Sequence, residues 1–180
     1  MDALKAIEAR KSTRSYTKEP LADDRIQTLV KAATRAPKAG DFHIAVVTNP
    51  DALQECNDIA LECMKKSGND FLVSRASLPG YQPLYGAPLL LVFSGSEQNP
   101  YSLANASCAA TAATIAATAL ELGSCYVVTP TMALAAKPAL ARKMGVPEGF
   151  KPQCCVIAGY SAGDAYGSPA SEFTNISYCR

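Results

Sequence analysis

Apolar positions recur along this chain at two different periods, and together they outline its elements. Leu4 and Ile7 share one helical face behind Asp2, a residue type that caps helices, which predicts a short helix over 3–10. Asp23 and Asp24 open a second helix in which Ile26, Leu29, Val30 and Ala33 make a stripe, until Pro37 stops it. A strand follows over Ile44–Thr48. Asn49 and Pro50 then cap and start a third helix with Leu53, Cys56, Ala60, Cys63 and Met64 on one side, closed by Lys65, Lys66 and Gly68. Leu89–Ser94 reads as a buried strand, Cys125–Thr129 as another and Gln153–Ala158 as a fourth. Met132–Lys143 reads as a short helix broken near Pro138. Helices thus separate most of the strands, the pattern of one mixed α and β domain.

Three stretches depart from a clean period. Asn69–Pro88 dissolves into Ser, Gly, Pro and Tyr, long for a structureless connection, and is read as a partly helical lid or substrate-side loop. Ser102–Leu122 is helical but carries Ala, Ser and Thr on every face, so neighbouring backbones can approach it closely. It should be the central helix, packed in the core or at a subunit interface. From Ser161 the chain is rich in Gly, Ser and Ala until Asn175-Ile176-Ser177-Tyr178, a tail that does not read as folding on its own.

Composition narrows the function classes. With 180 residues and 48% hydrophobic side chains the chain is expected to form one domain over 1–180 with its own core. A net charge of +1 gives no broad basic surface for nucleic acid. Met1–Lys5 has no apolar run, and 103–122, though about the length of a membrane span, contains Asn105 and Glu121 and lacks bulky aliphatic side chains. No signal segment and no membrane anchor are expected. Seven cysteines, without C-x-x-C spacing, read as free thiols in a reducing compartment, hence a cytoplasmic location. Cys154 and Cys155 lie in a strand and should point to opposite faces, and His43 is the one histidine, so no metal site is predicted.

The positive charge is local. Arg10-Lys11-Ser12-Thr13-Arg14-Ser15-Tyr16 packs three cations and three Ser or Thr hydroxyls directly after the first helix. Arginine offers a fork of donors, lysine a point charge and serine a short neutral donor, a set that neutralises and orients a phosphate. If the stretch is extended, Arg10, Ser12 and Arg14 face one way and Lys11 and Thr13 the other. The plainer alternative for such a run is a solvated basic turn.

This stretch, followed by Thr17-Lys18-Glu19-Pro20-Leu21, a helix and Arg35-Ala36-Pro37-Lys38-Ala39-Gly40, resembles the opening of the nitroreductase family of flavin-dependent oxidoreductases. The resemblance continues through Tyr85-Gly86-Ala87-Pro88, the small-residue helix with Leu122-Gly123-Ser124, and Gly145-Val146-Pro147-Glu148-Gly149. It implies an α+β, nitroreductase-like fold: a central, mainly antiparallel sheet flanked by helices, with the C-terminal segment exchanged in a homodimer, where Ile176–Cys179 would add a strand to the partner's sheet. It also implies FMN as prosthetic group, NADH or NADPH as transient donor, and a nitroaromatic, quinone or similar acceptor in a ping-pong reaction.

Residue roles follow from the same resemblance. Arg10 and Ser12 match positions that bind the FMN phosphate and ribityl chain, with Lys11 beside them, and Arg14 matches a cation near the pyrimidine edge of the ring. Reduction leaves negative charge at that edge, and a cation there raises the potential. Pro37, Lys38 and Ala39 match a loop that reaches the flavin from the second subunit. Asn69 matches a polar contact to the ring. Tyr126, Val127, Val128 and Thr129 sit where a strand end lies against the flavin with a backbone amide directed to it. No titratable catalytic side chain is implied. The chain departs from the family pattern at Lys38, where Ser is common, at Asp41-Phe42-His43, and at Val128-Thr129. It also lacks the basic pair near the C-terminus, since after Lys151 the only basic residue is Arg180.

Other motifs carry less. Gly159-Tyr160-Ser161-Ala162-Gly163 matches the G-x-S-x-G elbow of serine hydrolases, but Gly167 and Pro169 follow where a helix is needed and His43 lies upstream, in the wrong chain order. Neither a dinucleotide fingerprint nor a P-loop occurs, so a nicotinamide would visit rather than reside. The remaining alternative is a protein that binds or sequesters flavin with little turnover.

Overall fold

Strands β1 (Phe42–Val47), β2 (Leu89–Ser96), β3 (Gly123–Val127) and β4 (Phe150–Gly159) form one sheet in the order β1-β2-β4-β3, antiparallel at each pairing. The structure, a computed structural model, describes residues 1–163 and 175–179. The two central strands are apolar at consecutive positions because both of their faces are covered: Leu89–Phe93 and Cys154–Ala158 are fully or almost fully buried.

One face of the sheet, bearing Leu89, Leu91, Phe93, Cys154, Val156 and Ala158, packs against Leu29 and Ala33 of α2 (Asp23–Thr34) and five alanines, Ala106, Ala109, Ala110, Ala113 and Ala117, of α5 (Ser102–Ala119). The other face, with Leu90, Val92, Cys155 and Ile157, packs against Leu53, Cys56 and Ala60 of α3 (Pro50–Lys65), Leu134 of α6 (Thr129–Ala136) and Leu140 of α7 (Pro138–Lys143). Adjacent Cys154 and Cys155 accordingly fall in different clusters, as strand alternation requires. Two further helices, α1 (Ala3–Ala9) and α4 (Asp70–Ala76), flank these layers against α5 and α3 respectively. Among the described residues no helix is long and apolar enough to cross a membrane, and no three His, Cys, Asp or Glu side chains gather as metal ligands.

Three helices start where their caps require. Asp2, Asn49 and Asn69 accept hydrogen bonds from the amides of Leu4, Ala52 and Leu72 at 2.9, 2.9 and 3.1 Å. The chain between Asn69 and Pro88 is α4 followed by turns, in keeping with a partly helical connection.

One element differs from the sequence reading. The strand expected over Cys125–Thr129 runs from Gly123 to Val127. Val128 turns to φ −113°, ψ −19°, and Thr129 already opens α6, because Pro130 pre-sets the first helical turn and outweighs the strand preference of Val128. The described tail residues 175–179 are exposed and carry no regular structure in the single chain, where the sheet of a partner on which Ile176–Cys179 is expected to pair is absent. The rest of the tail, 164–174 and 180, lies outside the described residues.

The edge of the sheet at β3 is shaped by two glycines paired across strands, Gly123 and Gly159. A Cβ on Gly123 would stand 2.7 Å from Thr13 Cγ2, and one on Gly159 2.6 Å from Pro88 Cδ. Thr13 of the stretch that follows α1 fills the first vacancy, and Pro88 with Tyr16 of that stretch fills the second. Gly123→Ala should therefore destabilise the protein by about 1–3 kcal/mol through overpacking against a buried, β-branched neighbour. Urea unfolding checks this, and an unchanged midpoint would mean that Thr13 is not seated there.

Candidate functional site

Arg10 ends α1, its amide bonded to the Ala6 carbonyl at 3.0 Å, and the chain then leaves in an extended course. Ser12 pairs in parallel with Ser124 of β3, and the Thr13 amide donates to the Ser124 carbonyl at 2.8 Å. Tyr16 forms an antiparallel bridge with Ser161, its buried hydroxyl donating to the Thr13 carbonyl at 2.8 Å. The basic stretch is thus an added edge segment of the sheet and not a solvated turn.

Its alternation sorts the side chains as the extended reading predicts. Thr13 is buried over Gly123. Ser12, on the other side, hydrogen-bonds the thiol of Cys125, and Arg14 and Arg10 lie within electrostatic reach of that thiol. Burial is the largest influence on Cys125 and holds its thiol above the ordinary range, with Ser12 and the two guanidiniums pulling weakly the other way. Two arginines and a serine are therefore gathered about a neutral thiol at the start of β3. Lys11 is exposed on the far side of the turn.

The end of β3 continues from this point. Val127 shares the buried face of Cys125, whereas Tyr126 points to the α5 side, its hydroxyl 3.5 Å from Ser107 Oγ. Val128 is 53% exposed and Thr129 half-buried at the head of α6. So Arg10, Ser12, Arg14 and Tyr126–Thr129 belong to one continuous edge. An exposed valine beside a half-exposed tyrosine on that edge leaves an apolar floor that the single chain does not cover.

Pro37, Lys38 and Ala39 are elsewhere. The Ala39 amide and carbonyl are both held by the Asn105 carboxamide, at 2.9 Å each, and Asn99 Nδ2 donates to the same carbonyl at 3.0 Å. Lys38 Nζ stands 5.6 Å from the centre of the Phe42 ring. This loop sits beside the Ser96 end of β2, whereas Ser124 pairs with Ala158, which pairs with Leu89 at the opposite end. At about 3.3 Å per residue, Leu89 to Ser96 spans about 23 Å. The structure does not bring 37–39 to Arg10 within one chain. Asn69 is the exposed cap of α4, its Oδ1 occupied by the Leu72 amide.

Sequence reasoning passed over several residues that meet the site. Tyr85 lies close enough to Tyr16 to raise its pKa, and its hydroxyl is 3.3 Å from that of Tyr81, over whose ring Arg75 stands at 5.7 Å. Tyr85 has φ 52°, uncommon for a bulky residue, but no local pattern announces that. The serine-hydrolase elbow is excluded by distance. His43 pairs with Ser94 and through it with Pro152, about 23 Å along β4 from Gly159. A cavity of about 740 Å³ between α2, α3 and residues 82–89 is lined by none of the basic stretch.

With this geometry in place the family can be stated: the chain belongs to the nitroreductase family, whose sequence pattern matches residues 7–160. Its fold is shared by a nitroreductase with bound FMN from Bacteroides fragilis, 26% identical over 100% of both chains with a TM-score of 0.87. A nitroreductase with bound FMN from Desulfitobacterium hafniense is 24% identical over 100% of both chains, with a TM-score of 0.89. An FMN-dependent nitroreductase from Clostridium difficile is 22% identical over 99% of both, with a TM-score of 0.80. No curated protein matches the chain.

Tyr16 ties the basic stretch to itself, which gives a measurable consequence. Burial is the main cause that raises its phenol well above the ordinary 10.0, so the folded state favours the neutral form. The stability this contributes is complete below pH 10 and is lost as pH rises beyond it, because the unfolded phenol ionises first. Tyr16→Phe should cost about 0.5–1.5 kcal/mol at neutral pH through the lost bond to Thr13. Above pH 10 the variant should lose stability less steeply than the parent in denaturant titrations, and equal slopes would contradict the assignment.

Proposed function

We propose that the chain is an FMN-dependent oxidoreductase, taking two electrons from NADH or NADPH and passing them to a nitroaromatic, quinone or similar acceptor with ping-pong kinetics, as a homodimer. The observation that carries the reading is the convergence of Arg10, Ser12 and Arg14 beside the start of β3, on the edge that continues to Tyr126–Thr129. The donor set fits FMN. A guanidinium and a hydroxyl, Arg10 and Ser12, suit a phosphate, a second guanidinium, Arg14, suits a ring edge that gains negative charge, and the uncovered apolar end of β3 suits a flat ring. Membership of the nitroreductase family and the FMN bound by the Bacteroides fragilis relative support the same cofactor.

Arg10 and Ser12 bind the phosphate and ribityl end, with Lys11 beside them. Arg14 is half-buried and holds a positive charge nearer the body of the sheet, where it stabilises an anionic, reduced ligand more than an oxidised one. Bound FMN supplies the two-electron chemistry itself. The protein's work is binding, orientation and exclusion of water, and no residue here need act as an acid or base.

The separation of about 23 Å along β2 between the 37–39 loop and the Ser12–Ser124 pairing is resolved by a second subunit. Helix α5 has no charged residue along its 18 residues, and Leu103, Ala104, Cys108 and Thr111 leave one side of it exposed, next to α1, where Leu4 and Ile7 are 70% and 52% exposed. A two-fold axis across the middle of α5 sets two copies antiparallel and buries this surface. It also carries the 37–39 loop of one copy to the Arg10 end of the other.

Purified protein should carry a flavin absorption spectrum that bleaches on addition of NADH or NADPH. A protein that binds flavin but does not bleach would be a flavin store and not a reductase. Arg10→Ala should weaken FMN by about 1.5–3 kcal/mol, the worth of a charge-assisted contact, in a flavin titration. Arg14→Gln should keep most of the affinity for oxidised FMN while the bound flavin becomes harder to reduce, by roughly 30 mV for each ~1.4 kcal/mol of lost differential stabilisation. Were Arg14 instead a second phosphate ligand, the variant would lose FMN and what remained would titrate at the parent potential.

A further inference from the structure

Asn105 is a polar side chain with an unusual setting. It is 3% exposed in a helix otherwise made of Ala, Ser, Thr, Leu, Ile and Cys, and a buried carboxamide is costly unless its bonds are made. Both of its ends are spent on a single residue outside the helix, Oδ1 on the Ala39 amide and Nδ2 on the Ala39 carbonyl. Asn99 Nδ2 adds a second bond to that carbonyl, the third to Ala39 in all, and Gly40, at φ 76°, leaves room for Asn99 Nδ2, which a Cβ would approach to 2.9 Å. An exposed loop is thereby fixed at one residue, Ala39, with Lys38 directly before it. The same burial rules out Asn105 of the Asn105-Ala106-Ser107 triplet as a glycan acceptor.

We propose that Asn105, assisted by Asn99, is a positioning residue for the flavin site of the other subunit: it fixes Ala39 and so presents Lys38 to the FMN held by Arg10, Ser12 and Arg14 of a second copy. The inference rests on the FMN reading above. Three features support it. The clamp sits near the Ser102 end of α5, and the rise of about 1.5 Å per residue from Asn105 to Ala119 places it about 21 Å from the end that leads into Leu122–Ser124. Within one chain Asn105 cannot touch the Arg10 site, whereas in antiparallel copies it can serve that of its neighbour. Lys38 also adds a cation in a chain whose only basic residue after Lys151 is Arg180. Finally, fixing this residue in advance removes the ordering cost that a mobile loop would meet on binding.

The test is trans-complementation read by FMN titration of apoprotein. Asn105→Ala should weaken FMN about tenfold and Asn99→Ala, which removes one bond of three, about threefold. In a co-expressed heterodimer of Asn105→Ala with Arg10→Ala subunits, one site combines both defects and the other has neither. Parental affinity should therefore return at one site per dimer. A heterodimer with no parental-affinity site overturns the proposal, since Asn105 would then act only within its own subunit, and so does an Asn105→Ala homodimer with unchanged affinity. Should Asn105→Ala fail to fold, the heterodimer of Asn99→Ala with Arg10→Ala carries the same expectation and the same refutation. If the parent itself binds no FMN, it is the functional reading that falls.

Discussion

One short pairing holds the candidate site in place: the Thr13 amide on the Ser124 carbonyl, seated in the space that Gly123 leaves. Strand β3 is an edge strand, and an edge offers unpaired backbone groups to whatever segment reaches it. Here the segment is the chain's own basic stretch, delivered by the end of α1 and anchored again at Tyr16 on Ser161. Because pairing fixes alternation, placing Thr13 inward turns Arg10, Ser12 and Arg14 outward together. The recognition chemistry is thus a by-product of register, and a change under Thr13 reaches all three.

Helix α5 makes the complementary demand. Its alanines pack at near-zero exposure on β2 and β4, so the helix lies close to the sheet, and its opposite side is left without charge. One helix therefore fixes the core, leaves an uncharged side exposed, clamps the 37–39 loop at its start and leads into the seat of Thr13 at its end. Within one chain those two ends stay apart. Small side chains alone would give a featureless rod. Asn105 gives it a direction, because the one buried carboxamide marks which end carries the loop.

Much of this was legible in the sequence. Continuous apolar runs such as Leu89–Phe93 can only be strands covered on both faces, and the caps Asp2 and Asn49 mark helix starts by their chemistry. Alternation sorted Arg10, Ser12 and Arg14 from Thr13 before any coordinates. What escaped depends on tertiary partners. Val128 has a strand former's preference but obeys the proline two positions on. Cys125 lies among apolar neighbours in the sequence and meets Ser12 only through pairing across more than a hundred residues. Asn105 looked like a blemish in an apolar helix because its two partners belong to a loop 66 residues away. Tyr85 gains its place beside Tyr16 through a positive φ that no composition announces.

The electrostatic state of the site follows from burial more than from charge. A thiol beside two guanidiniums would be expected to ionise, and a thiolate at Cys125 would then form an internal ion pair with Arg10 and Arg14, as reactive cysteines do in electropositive settings. Desolvation is the larger influence and keeps the Cys125 thiol neutral. Tyr16, also buried, is kept neutral for the same reason. With both neighbours uncharged, the two arginines carry a positive field that Cys125 and Tyr16 do not offset, aimed along the edge of β3. The apolar packing that stabilises the sheet thereby also keeps these two neighbours from adding negative charge beside Arg10 and Arg14.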